Sequence, residues 1–137
     1  MNPVAVNEEI ASVISMPGLQ VFPHPADSIS PPTAEIALPD IDYDQAFQKG
    51  LVRMRSRIIL SVSSTFDEAA FTELAKYIEP ADATHSIHAR LHNRTVAQEW
   101  TTCSFARVVR GFGVDHYFGE TRFMAYQFDL DIAGTGT

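Results

Sequence analysis

The chain has a single cysteine, Cys103, no lysine or arginine before Lys49, and no long run of large aliphatic residues. One cysteine can form neither an internal disulfide nor a thiolate metal cluster, which fits a reducing compartment. The longest aliphatic stretch, Ile58 to Leu60, is far below the ~18 residues that cross a bilayer, so we expect no membrane contact. An N-terminus without basic residues lacks the features of a secretion signal, so we expect a cytosolic protein.

The 137 residues nevertheless contain enough apolar material for one core, because 45% of them are hydrophobic and 20% are charged. This length and composition predict a single compact domain over residues 1–137 and exclude a collagen-like or globally disordered chain. The small and polar residues from Ala133 to Thr137 are expected to form a mobile C-terminal tail.

The formal net charge of -7 originates in the first third of the chain. Residues 1–48 hold seven acids and no lysine or arginine, whereas residues 49–137 hold ten acids and ten bases. No basic arm or arginine-rich helix is present to neutralise phosphates, which argues against nucleic-acid binding. The acidic third then serves solubility, or it meets a basic surface on a neighbouring subunit.

Hydrophobic periodicity predicts helices near residues 7–16, 65–79 and 84–93. Asn7 is the expected N-cap of the first helix. Thr65 and Glu68 have the spacing of a capping box for the second helix. Ile87 and Leu91, four residues apart, mark one face of the shorter third helix.

Strands are predicted near residues 19–22, 33–38, 52–62, 101–110 and 124–132. The clearest one alternates apolar residues with Arg53, Arg55 and Arg57, so one of its faces begins with three arginines. Gly111 and Gly113 are expected to bracket a bend after the fourth strand. This order of elements predicts an α+β domain whose sheet is mainly antiparallel, with two or three helices packed on one face.

Residues 40–50 have no stable period and are expected to form an extended loop. Asp40, Asp42 and Asp44 open like a calcium-binding loop, but glutamine and leucine occupy the positions where that loop needs glycine and glutamate. Two interpretations of this loop remain. It is a solvated acidic loop, or it is a contact loop in which Tyr43 and Phe47 anchor the interface with a partner.

His85, His88 and His92 are spaced so that all three would lie on one face of the predicted third helix, where imidazoles could chelate a metal. Ile87 and Leu91 point almost the opposite way, so an exposed or interfacial stripe is the favoured interpretation and a small metal-dependent enzyme is the alternative. No metal site or cofactor is expected.

The chain has none of the phosphate-binding, nucleophile-elbow or zinc-protease motifs, so no enzymatic activity is expected. Cys103 lacks an activating neighbour in the sequence and is expected to be a buried strand cysteine. His116 is expected in a hairpin connection, in a turn or packing role. Asp129 and Asp131 would share one strand face and could pair with arginines of the long strand.

Proline, glycine and aromatic residues are placed along the chain in the manner of one known family. The first half carries Pro17 to Val21, Pro31 to Ile36 and Leu38 to Asp40, then Tyr43, Phe47 and Gly50 ahead of the long strand. The second half carries Ser61 to Ser63 before the capped helix, Ala75 to Tyr77 near its end, Ser86-Ile87, Gly113-Val114 and the closing Tyr126 to Phe128. Across residues 5–133 this order resembles the tail terminator proteins of long-tailed actinobacterial phages.

The resemblance implies a small α+β subunit of the virion that assembles in the host cytoplasm. Such subunits form a homohexameric ring on the head-proximal end of the tail tube. The ring stops tube polymerisation and joins the tail to the head–tail connector or head-completion protein, while DNA passes through the lumen without specific binding. The alternative within this class is a tail-completion or head-closure adaptor of the neck.

A ring contact between copies would use oppositely charged surfaces to select its register and apolar residues to supply its energy. We therefore predict that the interface with other copies or with the tube includes eight residues: Asp40, Asp42, Tyr43, Asp44, Phe47, Arg53, Arg55 and Arg57.

Overall fold

The computed structural model describes residues 1–26, 31–42, 51–82 and 84–135. These residues form three helices and six strands. In chain order the elements are α1 (Pro3–Ile14), β1 (Gln20–Phe22), β2 (Thr33–Ile36), β3 (Asp40–Asp42), β4 (Leu51–Ser63), α2 (Glu68–Ile78), α3 (Ile87–Val96), β5 (Phe105–Phe118) and β6 (Thr121–Thr135). The predicted α+β class is confirmed.

The sheet has the strand order β1-β2-β4-β6-β5, and β3 pairs with β4 below the end of β2. Every neighbouring pair is antiparallel except β1 and β2, which are parallel. The sheet is therefore mainly antiparallel, as predicted. β4 and β6 are neighbours in the middle of this order, and both alternate apolar and polar residues, as strands with one core face and one open face do.

One face of the sheet forms the hydrophobic core with all three helices. On β4 and β6, Met54 pairs with Ile132 and Ile58 pairs with Phe128, so these apolar side chains point to the same side. They are at most 2% exposed. The helices complete this core with buried residues of α1, α2 and α3: Val6, Ile10, Ile14, Leu74, Tyr77, Ile87 and Leu91. None of the three helices in the described residues packs on the opposite face of the sheet.

The helices begin at caps that differ from two of the predicted ones. The side chain of Asn2 accepts hydrogen bonds at the start of α1, whereas Asn7 is buried within the helix and donates to the Pro23 carbonyl oxygen at 3.1 Å. The carboxylate of Asp67 accepts from an α2 amide at 2.9 Å, so the capping box predicted at Thr65 is wrong. Asp is a strong N-cap, and the cap at Asp67 starts the helix two residues later.

Three predictions about strands are also wrong. Residues 40–42 form β3, paired with β4, where a loop is predicted, and residues 43–50 lie outside the described part of the chain. Gly111 and Gly113 do not bracket a bend, because β5 continues through both to Phe118, and His116 is therefore a strand residue. Pairing with β6 along this whole length outweighs the low strand propensity of glycine.

The predicted C-terminal tail is wrong for residues 133–135. These residues complete β6, where Ala133 pairs with Arg53 of β4 and is buried. Glycine suits the next position, residue 134, because neighbouring backbone comes close. A Cβ added at Gly134 would lie 3.3 Å from the Cα of Cys103. Residues 136 and 137 lie outside the described residues.

The carboxylate of Glu9, whose side chain is 8% exposed, joins α1 to the segment that leads into β5. Glu9 accepts hydrogen bonds from the backbone amides and hydroxyls of Thr101 and Thr102, and its Oε2 lies 2.9 Å from Nη2 of Arg94. Burial alone would raise the pKa of Glu9, but the hydrogen bonds from Thr102, Arg94 and Thr101 outweigh it and lower the pKa from 4.5 to about 2. This contact ties α1 to Thr101 and Thr102, which lie four and three residues before β5 begins.

Candidate functional site: the charged face of the sheet

The uncovered face of the sheet carries a row of charges that alternate in sign. In the strand register, Asp40 on β3 lies opposite Arg55 on β4. Arg55 lies opposite Asp131 on β6, and Asp131 lies opposite Arg107 on β5. Directly paired residues on antiparallel strands point to the same side. The four side chains therefore lie side by side across four strands, and we call them the charged row.

Ion pairs hold the centre of this row together. Asp131 Oδ2 lies 2.8 Å from Nη2 of Arg53 and 3.2 Å from Nη2 of Arg107, and its side chain is 17% exposed. Two residues earlier on β6, a carboxylate oxygen of Asp129 accepts a hydrogen bond from Nε of Arg110 at 3.3 Å. The predicted pairing of the β6 carboxylates with the arginine strand is confirmed for Arg53 and Asp131, and β5 adds two further arginines.

Two arginines of β4 take no part in this network of ion pairs. Arg55 and Arg57 are exposed, and neither forms an ion pair with any of the described residues. Asp40, opposite Arg55 in register, likewise makes no ion pair within the described ranges. Exposed charges without an internal partner are available for electrostatic recognition by another molecule.

Three residues of the charged row, Asp40, Arg55 and Asp131, line an open groove of about 770 Å³. Its rims carry two exposed apolar side chains, Leu38 next to β3, which is 76% exposed, and Val109 on β5, which is 56% exposed. The remaining lining residues come from the strands between these rims: Ile41, Asp42, Arg53, Ser56, Arg57, Asp129 and Leu130. A groove of this kind combines charge with an apolar border.

The bulge at Val109 places the second β5 arginine on this face. The register shifts between Val108, which pairs with Leu130, and Arg110, which pairs with Asp129. If Val109 were paired and the side chains alternated regularly through it, Arg110 would point to the core side. The bulge therefore puts two arginines on the charged face three positions apart.

The other end of the uncovered face is closed by a contact between distant strands. Nε2 of His116 on β5 lies 2.8 Å from Oε1 of Glu35 on β2, and the second carboxylate oxygen accepts from the Ala26 amide at 2.7 Å. Two strands separate β2 from β5, a gap of about 14 Å in a flat sheet. The sheet must therefore curl towards this face, and within the described residues the end with the charged row remains open.

The predicted histidine stripe is wrong in its geometry. His85 precedes the N-cap Ser86 and lies outside α3, where its Nδ1 is 3.1 Å from Oδ2 of Asp82. His88 and His92 do lie on α3, with their rings stacked at 5.8 Å between centroids. No group of three or more potential metal ligands exists among the described residues. The donor set that a metal-dependent enzyme would need is therefore not assembled in that part of the chain.

Cys103 lies just before β5 rather than within a strand, and it is only partly buried. Burial raises the pKa of the Cys103 thiol to about 11, and the nearby charge of Glu9 adds to this effect. The thiol is therefore protonated at neutral pH, which is the opposite of what a nucleophilic cysteine requires.

The fold brings together five of the eight predicted interface residues: Asp40, Asp42, Arg53, Arg55 and Arg57 all lie on the charged face. The other three, Tyr43, Asp44 and Phe47, lie outside the described residues. Four further residues complete the face and were not among the predicted ones: Arg107, Arg110, Asp129 and Asp131. The spacing of Asp129 and Asp131 indicates from the sequence that both lie on one face of the last strand. The bulge has no sequence signal, so the common face of Arg107 and Arg110 cannot be predicted from regular alternation.

A smaller exposed aromatic cluster lies at the opposite end of β4 and β6. Phe66 and Phe71, before and within α2, are both exposed. The guanidinium of Arg122 on β6 lies 4.2 Å from the centre of the Phe66 ring. This cluster is remote in sequence register from the charged row, and it therefore provides sites for control substitutions.

None of the helices in the described residues has the length and apolar character to span a membrane. No protein-family model matches the chain, and the search of curated proteins found no match either.

Proposed function

We propose that this protein is a structural protein of a phage virion, a tail terminator that forms a ring, predicted to be hexameric, on the head-proximal end of the tail tube. The ring ends tube polymerisation and offers a surface to the head–tail connector, and DNA passes through it without specific binding. The family resemblance in residues 5–133 suggested this role. The structural observation that supports it is the open charged face, on which Arg55 and Arg57 form no ion pair with any described residue.

The charged face supports recognition of a protein surface. Its groove is open along one side of the sheet, its floor alternates in charge, and Leu38 and Val109 add apolar area at the rims. Protein interfaces use apolar side chains for most of their energy, while charges set orientation and association rate. A protein that acts by fitting to copies of itself and to a tube needs these features and no catalytic step.

The experiment that tests this proposal is electron microscopy of the purified protein, alone and mixed with tail-tube subunits during tube assembly. We expect rings with sixfold symmetry that lie at one end of each tube, and tubes that stop growing when a ring is present. A protein that remains monomeric and leaves tube growth unchanged contradicts the proposal. Rings that bind the connector and ignore tubes would instead assign the protein to the head side of the neck.

A pair of variants links this assay to the charged face. Arg55→Gln with Arg57→Gln removes two exposed charges that make no ion pair within the described residues, so the fold should be kept while capping weakens, most visibly at low salt. Lys76→Gln with Arg122→Gln removes the same amount of charge away from this face and is the matched control. Equal capping by both pairs would show that the β4 arginines take no part.

A further inference from the structure

The two edges of the charged row carry opposite charges. The β3 edge presents Asp40 and Asp42, and the β5 edge presents Arg107 and Arg110. Among the described strands, β3 pairs only with β4 and β5 pairs only with β6, so both edges are open. The next charge that would continue the alternation beyond β5 is negative, and β3 carries that charge.

The strand directions fit the same continuation. In this half of the sheet the order is β3-β4-β6-β5, and each strand is antiparallel to the next. Because four strands alternate in direction, β3 and β5 run in opposite directions. A second copy in the same orientation would thus place its β3 antiparallel to β5 of the first copy, which continues the sheet's own pattern.

The apolar rims fit it as well. Leu38 lies beside the acidic edge and Val109 lies on the basic edge, so a head-to-tail contact brings one exposed apolar residue from each copy to the same seam. Large aliphatic side chains of this exposure gain free energy when they leave water. Each edge therefore offers both a charge and an apolar contact of the kind that the other edge needs.

We propose that the acidic β3 edge of one copy docks against the basic β5 edge of a second copy, in a head-to-tail contact that repeats around the ring. This inference rests on the proposed function, because it names the surfaces through which the ring subunits meet. Side chains make the contact and not a continuous backbone ladder: the Ala106 carbonyl of β5 already accepts from the Thr95 hydroxyl at 2.9 Å, and the bulge at Val109 interrupts the strand edge.

Directional cross-linking tests the contact. In a Cys103→Ser background, one protein carries Leu38→Cys and a second carries Val109→Cys, and the mixture is treated with a short bis-maleimide. We expect a covalent dimer in the mixture and none from either protein alone, because a head-to-tail contact joins different edges. Phe71→Cys in place of Leu38→Cys is the control and should give no dimer. Dimers from one single variant alone would indicate a two-fold contact and overturn the proposal.

The charge contribution is tested by Asp40→Asn against Asp115→Asn. Both variants remove one negative charge from an exposed aspartate, but Asp115 lies near the tip of the β5–β6 hairpin, away from the charged row. We expect Asp40→Asn to weaken association by up to about fivefold at low salt, with the difference fading as salt rises. Equal association of the two variants at low salt would overturn the role of Asp40.

The outcomes separate this inference from the proposed function. Rings or capped tubes without the Leu38–Val109 cross-link would overturn the edge contact and leave the proposed function standing. The cross-link in a protein that ignores tubes would support the contact and overturn the proposed function. A wild-type protein that neither associates nor caps tubes would overturn both.

Discussion

The most quantitative prediction concerns Glu9, the carboxylate that joins α1 to the start of β5. A fall of its pKa from 4.5 to about 2 on folding corresponds to about 3 kcal/mol of stability, at about 1.4 kcal/mol per pKa unit. Because the pKa is lower in the folded state, this stability is present above pH 4.5 and is lost as the pH falls through about 2. Glu9→Gln should therefore lower the free energy of unfolding at neutral pH by about 2–3 kcal/mol.

Urea denaturation of both proteins at several pH values checks this. The difference between wild type and Glu9→Gln should shrink on acidification, to less than half of its neutral value near about pH 3, because the wild-type carboxylate is then being protonated in the unfolded state. Glu8→Gln is the matched control: Glu8 is the exposed neighbour on the same helix, and its loss should change stability by less than about 0.5 kcal/mol. A Glu9→Gln effect that does not vary with pH would refute the electrostatic reasoning.

Two further predictions concern local structure. Asp67→Ala should cost about 1 kcal/mol through loss of the α2 cap, whereas Thr65→Ala should be nearly neutral in the same chemical denaturation; the reverse order would restore Thr65 as the cap. Gly111→Ala should cost about 1–3 kcal/mol because its Cβ would lie 2.6 Å from Cε1 of Tyr126, whereas Gly113→Ala has open space; equal thermal midpoints would contradict this.

The fold class was predictable because its largest elements have strong periodicities. Alternation in β4 and β6 and the apolar spacing of α2 are local patterns, and each survives in the structure. The short strand β3 was not predictable, since three residues have no detectable period and Asp40 and Asp42 have low strand propensity. Pairing with β4, a property of the whole fold, makes them a strand.

Only the part of the candidate site that lies on one strand could be predicted from the sequence. The arginines of β4 stand out as a stripe in one strand, but their partners belong to other strands whose register cannot be read from the sequence. The shared carboxylate of Asp131 needs both Arg53 and Arg107 to be adjacent in space. The cap at Asp67 was missed because Thr65 satisfies the same motif two positions earlier.

The bulge at Val109 makes the effect of a shortened chain depend on where in β5 the residue is lost. Deleting Val109 itself would leave Arg110 opposite Asp129 and keep all later pairs unchanged. Deleting Gly111 would instead exchange inward and outward positions beyond it, so that Phe112, Val114 and His116 would turn towards the helices. His116 would then no longer contact Glu35, and the curled sheet would lose the side-chain contact that joins β5 to β2. Deletions in β5 beyond the bulge should accordingly be tolerated far less well than loss of Val109, even though most of this strand lies at the surface.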